Sequence, residues 1–129
     1  MNSQHALNAY RQAGVQGAVM DASPHQLITM LMDGALDRIA AAKGAMERGE
    51  TATEGEMIGK AISIIDNLRA SLDHEQGGDL SRRLSDLYEY MENRLLEARR
   101  ENDRSKLVEV SGLLRQIKSG WDDIPAEHR

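Results

Sequence analysis

Pro24 and Pro125 are the only prolines in the chain, and they bracket nearly everything that follows the first two dozen residues. A proline inside a helix removes a backbone hydrogen bond and clashes with the preceding turn, at about 3 kcal/mol or more. The long stretch between the two is free of that veto. It is also patterned for helix. Apolar residues recur at steps of three and four at Ile58, Ala61, Ile62, Ile65, Leu68 and Leu72. They do so again at Leu80, Leu84, Leu87, Met91, Leu95 and Ala98, and at Leu107, Val110, Leu114, Ile117, Trp121 and Ile124. This spacing keeps them on one face of a 3.6-residue repeat. Breaks fall at Gly49, at Gly77-Gly78 and at Glu101-Asn102-Asp103. Val and Thr are dispersed, and Asp33-Gly34 lies inside a helical pattern, so no hairpin signal is present. The expected fold is all-α, an antiparallel up-down four-helix bundle over residues 23–125, because short connections force neighbouring helices to run antiparallel.

The first helix begins with SPHQLITMLMDGAL, residues 23–36. Ser23 suits the N-cap, Pro24 the first helical position, and Gln26 completes a capping box. The helix should run to Arg48 and stop at Gly49. Its apolar residues are Leu27, Ile28, Met30, Leu31, Met32, Ala35, Leu36, Ile39, Ala42, Ala45 and Met46. At roughly 100° per residue they cover about two thirds of the circumference. A helix lying on a core needs a stripe only somewhat over about 100° wide, so this arc asks for more than one partner. A second capping signal, Thr51 to Glu54 or Thr53 to Glu56, opens the second helix, and Asp79 is the expected N-cap of the third. Residues 1–22 read as a flexible leader with a short amphipathic cap segment. Ala6, Leu7 and Tyr10 share one helical face there before Gly14 and Gly17 interrupt it. Residues 126–129 form a C-terminal tail.

The chain has 129 residues, no cysteine and a formal charge of −5. Its length suits one domain. The missing cysteines exclude disulfides, thiol catalysis and thiolate metal sites. Lys and Arg scattered among acids leave no basic stripe for nucleic acid. The N-terminus has no apolar export signal, and no run approaches the roughly 18 apolar residues of a membrane span. The reading is a cytoplasmic protein without membrane insertion. With no Phe, one Trp and three Tyr, the core falls to Leu, Ile, Met and Ala.

No catalytic or cofactor pattern is present in the sequence. No Glu has a His three residues on, as di-iron bundles require. His5, His25, His74 and His128 lie in the leader, a first helical turn, a loop and the terminus, and none is placed to face inward from mid-helix. Met30 and Met91 have no histidine opposite for haem. Ser23 has no His–acid partner to activate it, and Gly77-Gly78 is a helix stop rather than a phosphate loop. Asp33 and Asp37, four apart, form a solvated polar arc. The chain is therefore not expected to be an enzyme or to hold a cofactor.

Surplus apolar surface is the remaining clue. Met32, Leu36 and Ile39 drift off the Leu27–Leu31 face, and Met57 and Ile64 widen the second stripe. Tyr88 and Tyr90 flank the third, while Leu96 lies roughly 160° from Leu80 at 100° per residue. Gly34, Gly59 and Gly112 each cost about 1 kcal/mol against Ala in a helix, which close approach of another backbone would explain. Bundle packing accounts for part of this surface. Met32 and Leu36 are expected to face a partner, because apolar grooves of this kind receive amphipathic or extended segments.

Four segments carry a family likeness. They are AYRQAGVQGAVMDASPHQLITMLMDGAL (residues 9–36), GKAISIIDNLRASLDHEQGGDL (59–80), LSDLYEYMENRLLEAR (84–99) and LVEVSGLLRQIKSGW (107–121). Through them the chain resembles the FliS family of flagellar export chaperones along nearly its whole length. The resemblance implies a four-helix bundle with an N-terminal cap, acting without ATP. It also implies a partner, the disordered C-terminal segment of flagellin, which such chaperones hold in apolar grooves and deliver to the membrane export-gate protein FlhA. Other flagellar regulators are possible competitors for that surface. On this reading the flagellin contacts are Leu27, Ile28, Leu31, Met32, Ala35, Leu36, Ile62, Ile65, Leu68, Leu87, Tyr88 and Tyr90. Leu7 and Tyr10 form the cap and gate-docking face. Two departures stand out: Met32 replaces a common aromatic, and Ser81-Arg82-Arg83 replaces a small residue and Asn. A second reading has the same grooves bind another copy of the chain, giving a self-associating helical adaptor.

Overall fold

Ser23 caps the first helix as its sequence predicts. Its hydroxyl accepts from the Gln26 amide at 3.1 Å while the Gln26 side chain accepts from the Ser23 amide at 2.8 Å. The computed structural model describes residues 22–128, and the leader with its Leu7 and Tyr10 lies outside them. Helix α1 runs Pro24–Glu47 and ends at Gly49, whose left-handed φ of 70° only glycine adopts freely. Helix α2 is Thr51–Ala70. Its N-cap is Glu50 without a side-chain cap bond, so neither Thr51 nor Thr53 serves. The turn is too short for either: the chain re-enters helix directly after Gly49.

Helix α3, His74–Glu101, is capped by Asp73, whose carboxylate accepts from the amides of Glu75 and Gln76. The cap expected at Asp79 therefore sits six residues earlier, and α2 stops well before Gly77. Gly78 then breaks the helix with φ 52° and ψ −126°. Helix α4, Arg104–Asp122, follows the left-handed Asn102 and is capped by Asp103. A 3-10 turn at Ala126–His128 closes the described chain.

The helices form a ring in which α1 packs on α2, α2 on α3, α3 on α4, and α4 back on α1, with no close backbone approach across the diagonals. This is the four-helix bundle. Among the described residues there is no strand, and no helix is long and apolar enough to cross a membrane. The width of the α1 arc follows from this ring, because α1 faces two neighbours and the centre at once. Leu27, Ile28, Leu31, Met32, Ala35, Ile39, Ala42 and Ala45 are all buried. Small residues on α1, together with Ala61 on α2, let these two helices make the most extensive pairing in the bundle.

Two expectations change here. Met32 is only 1% exposed and belongs to the core, so it does not stand open to a partner. The inner stripe of α3 is Ser81, Tyr88, Met91, Leu95 and Ala98, whereas Leu80 is 65% exposed. The Gly78 break resets the helical phase so that Ser81 points inward, its hydroxyl donating to the Asp73 carbonyl at 3.0 Å. A side chain at Gly77 would overlap that hydroxyl.

The end of the ring is fastened by His25 and Trp121. Their rings stack with centroids 4.6 Å apart and planes 5° from parallel. The imidazole Nε2–H donates to the Trp121 carbonyl at 2.7 Å, and the indole Nε1–H donates to the His25 carbonyl at 3.0 Å. His25 is thus a structural residue of the α1–α4 contact.

Candidate binding surface

The residues expected to contact a partner divide by burial. Leu27, Ile28, Leu31, Met32, Ala35, Ile65, Leu68 and Tyr88 are core residues. Burial also pushes the Tyr88 hydroxyl pKa up to about 12, keeping it neutral. Leu36, Ile62 and Leu87 are partly buried against the core, and Tyr90 is exposed. No single surface gathers all twelve.

Tyr90 belongs to a bridge between α3 and α4. Its hydroxyl donates to Glu109 at 2.5 Å, and the Arg94 guanidinium lies over its ring, 5.7 Å from the centroid. Arg94 also pairs with Glu109 and Glu97, and Lys106 pairs with Glu97 and Glu101. Hydrogen bonds from Tyr90 and Arg94 hold the Glu109 carboxyl below its ordinary pKa, and Lys106 does the same for Glu97. This seam is bridged by charged and hydrogen-bonded side chains.

The α2–α3 seam is different. At one end Arg69 donates to Ser85 at 2.9 Å and pairs with Glu89 at 3.4 Å. Next comes Glu92, whose pKa is pushed up to about 7 by burial and by Asp66, which also shares a hydrogen bond with it. Because α2 and α3 run antiparallel, Ile62 (four residues before Asp66) and Leu96 (four after Glu92) follow along the same direction. Leu96 is 51% exposed. Gly59 comes next on α2, exposed, with nothing within 4 Å of where a side chain would begin. Farther on, Arg99 lies across the backbone of Gly55. Ile62, Leu96 and Gly59 therefore make a shallow apolar strip bordered by a carboxyl pair.

The sequence pattern marked Leu96 as off the stripe but did not raise it to a contact. The Asp66–Glu92 pairing has no sequence signal, since it joins residues on separate helices. Among the described residues no cluster of His, Asp or Glu is arranged to hold a metal ion.

A sequence model of the family described as flagellar protein FliS matches residues 6–128. The chain is 52% identical to the flagellar secretion chaperone FliSB of Pseudomonas aeruginosa, over 96% of this chain and 98% of that one. It is 47% identical to the flagellar secretion chaperone FliS of Salmonella typhimurium, over 96% of this chain and 93% of the relative. The FliS of Bacillus subtilis is 32% identical, with 94% and 86% covered. These matches span the bundle and part of the leader. The chain belongs to the FliS family of flagellar secretion chaperones, a family of chaperones and not of enzymes.

Proposed function

We propose that this chain is a cytoplasmic export chaperone that holds the disordered C-terminal segment of flagellin, prevents its premature polymerisation and delivers it to the type III export-gate protein FlhA. Family membership supports the chaperone role. The observation that carries the binding mode is the open strip of Ile62, Gly59 and Leu96 on a bundle whose α3–α4 seam is bridged by charged side chains. A disordered segment that folds on binding wraps large, shallow surfaces of this kind. Leu36 and Leu87, half-buried against the core, are further apolar contacts in this reading. Met32, Tyr88 and the other core residues are buried and would reach a partner only through rearrangement.

Light scattering with a flagellin C-terminal peptide tests the reading. The expected mass is one chain plus one peptide. A chain that doubles its own mass and ignores the peptide would support the self-associating adaptor instead. We assign gate docking to Leu7 and Tyr10 of the leader. Leu7→Ala with Tyr10→Ala should keep peptide binding while weakening capture by FlhA.

A further inference from the structure

At the end of the bundle where the α1–α2 and α3–α4 turns meet, Met46, Gly49, Thr51, Glu54, Arg99 and Asn102 line an open cavity of about 380 Å³. Ligand pockets start at about 300 Å³. Its mouth is framed by the two left-handed turn residues, Gly49 and Asn102, and nothing lies within 4 Å of where a Gly49 side chain would begin.

Glu54 is the anomaly. It is only 5% exposed, yet its carboxylate makes no hydrogen bond or ion pair among the described residues. No sealed side-chain oxygen there lacks a partner, so the Glu54 carboxylate opens onto the cavity it lines. The dipole of α2 favours an acid in the first turn, but an exposed acid serves that purpose without the cost of burying a charge. Among the described residues Arg99 at the rim also has no ion pair, and its guanidinium lies against the α2 backbone. A side chain added at Gly55 would meet the Arg99 Nη2 at 2.8 Å. The cavity therefore offers a buried acceptor, an apolar wall in Met46 and donors at its edge in Arg99 and Asn102.

We propose that this cavity seats a lysine side chain of a bound polypeptide. The ammonium meets Glu54 and the Thr51 hydroxyl, and the aliphatic stem lies along Met46. The neighbouring peptide carbonyls accept from Arg99 and Asn102. A compact ammonium with three donors suits acceptors arriving from separate side chains, and a long stem buries readily while its head finds charge. The inference extends the proposed function, since a segment held on the bundle would bring the lysine. It is tested without flagellin, so either idea can fail alone.

The experiment is an amide-shift titration of the full ¹⁵N-labelled chain with Nα-acetyl-lysine methylamide, its norleucine counterpart and 1,4-diaminobutane. The lysine probe should shift Gly49, Thr51 and Asn102 saturably, at concentrations about tenfold below either other probe. Glu54→Gln should keep the spectrum dispersed and abolish the lysine response. Equal response to norleucine, or an unchanged response in Glu54→Gln, overturns the site. Equal response to diaminobutane overturns the assignment to a peptide lysine. The comparison of probes on the unaltered chain decides the matter even if the variant fails to fold.

Discussion

Glu92 sits partly withdrawn from water with Asp66 against it, and these two influences raise its pKa from the ordinary 4.5 to about 7. The folded chain therefore keeps a proton that the unfolded chain releases between those values. The stability this confers is whole below about pH 4.5 and is lost as pH rises through 7. Glu92→Gln removes the ionisation. It should raise stability in urea at pH 8 by about 1 kcal/mol, a figure reduced for the group's contact with solvent, and change little near pH 5. A variant no more stable than the parent at pH 8 would clear the pair of any strain. Burial separates two other positions. Met32→Glu places a charge in the core and should unfold the bundle or lower its melting temperature sharply. Leu96→Glu alters an exposed side chain, and should leave the melting curve alone while weakening flagellin-peptide binding about tenfold. Sequence periodicity put Met32 on the outside, where the structure buries it, and Leu96 off the stripe, where it is exposed. An arc's width reports how many neighbours a helix has only once the ring of helices is known, and Met32 is where α1 meets the centre. Leu96 was legible from its angular offset, which leaves it half out of the α2–α3 seam.

At the level of elements, the ends of α1 and the start of α4 were readable because their signals are local. Ser23, Pro24, Gln26, Gly49, Asn102 and Asp103 each act within one turn of where they stand. The start of α3 was not, because Gly77-Gly78 reads as a stop when it is a kink inside a segment already begun at Asp73. That misplacement carried Leu80 into the core and pushed Tyr88 out of it. The two aspartates give a direct check. Asp73→Ala removes a carboxylate that caps two amides and should cost about 1 kcal/mol in thermal or urea unfolding. Asp79→Ala loses only an exposed pairing with Arg82, and its unfolding curve should overlay the parent's.

Over the whole molecule, the class of fold was legible because four periodic stripes with short breaks permit few arrangements. The binding surface was less so. An open strip is defined by what two helices fail to cover, and Ile62, Gly59 and Leu96 come together only once α2 and α3 lie side by side. The His25–Trp121 clasp carries one more consequence. It sets the first turn of α1 against the last turn of α4, so the order in which the helices are strung together is a historical choice and the bundle has no essential beginning. A linker of about 4–6 residues joining Ile124 to Ala22, with new ends cut at the exposed Gly49 turn, should give a circularly permuted chain. Circular dichroism should show the parent's helicity and one cooperative unfolding step. The same circle opened at Ile39, in the middle of α1, should not fold.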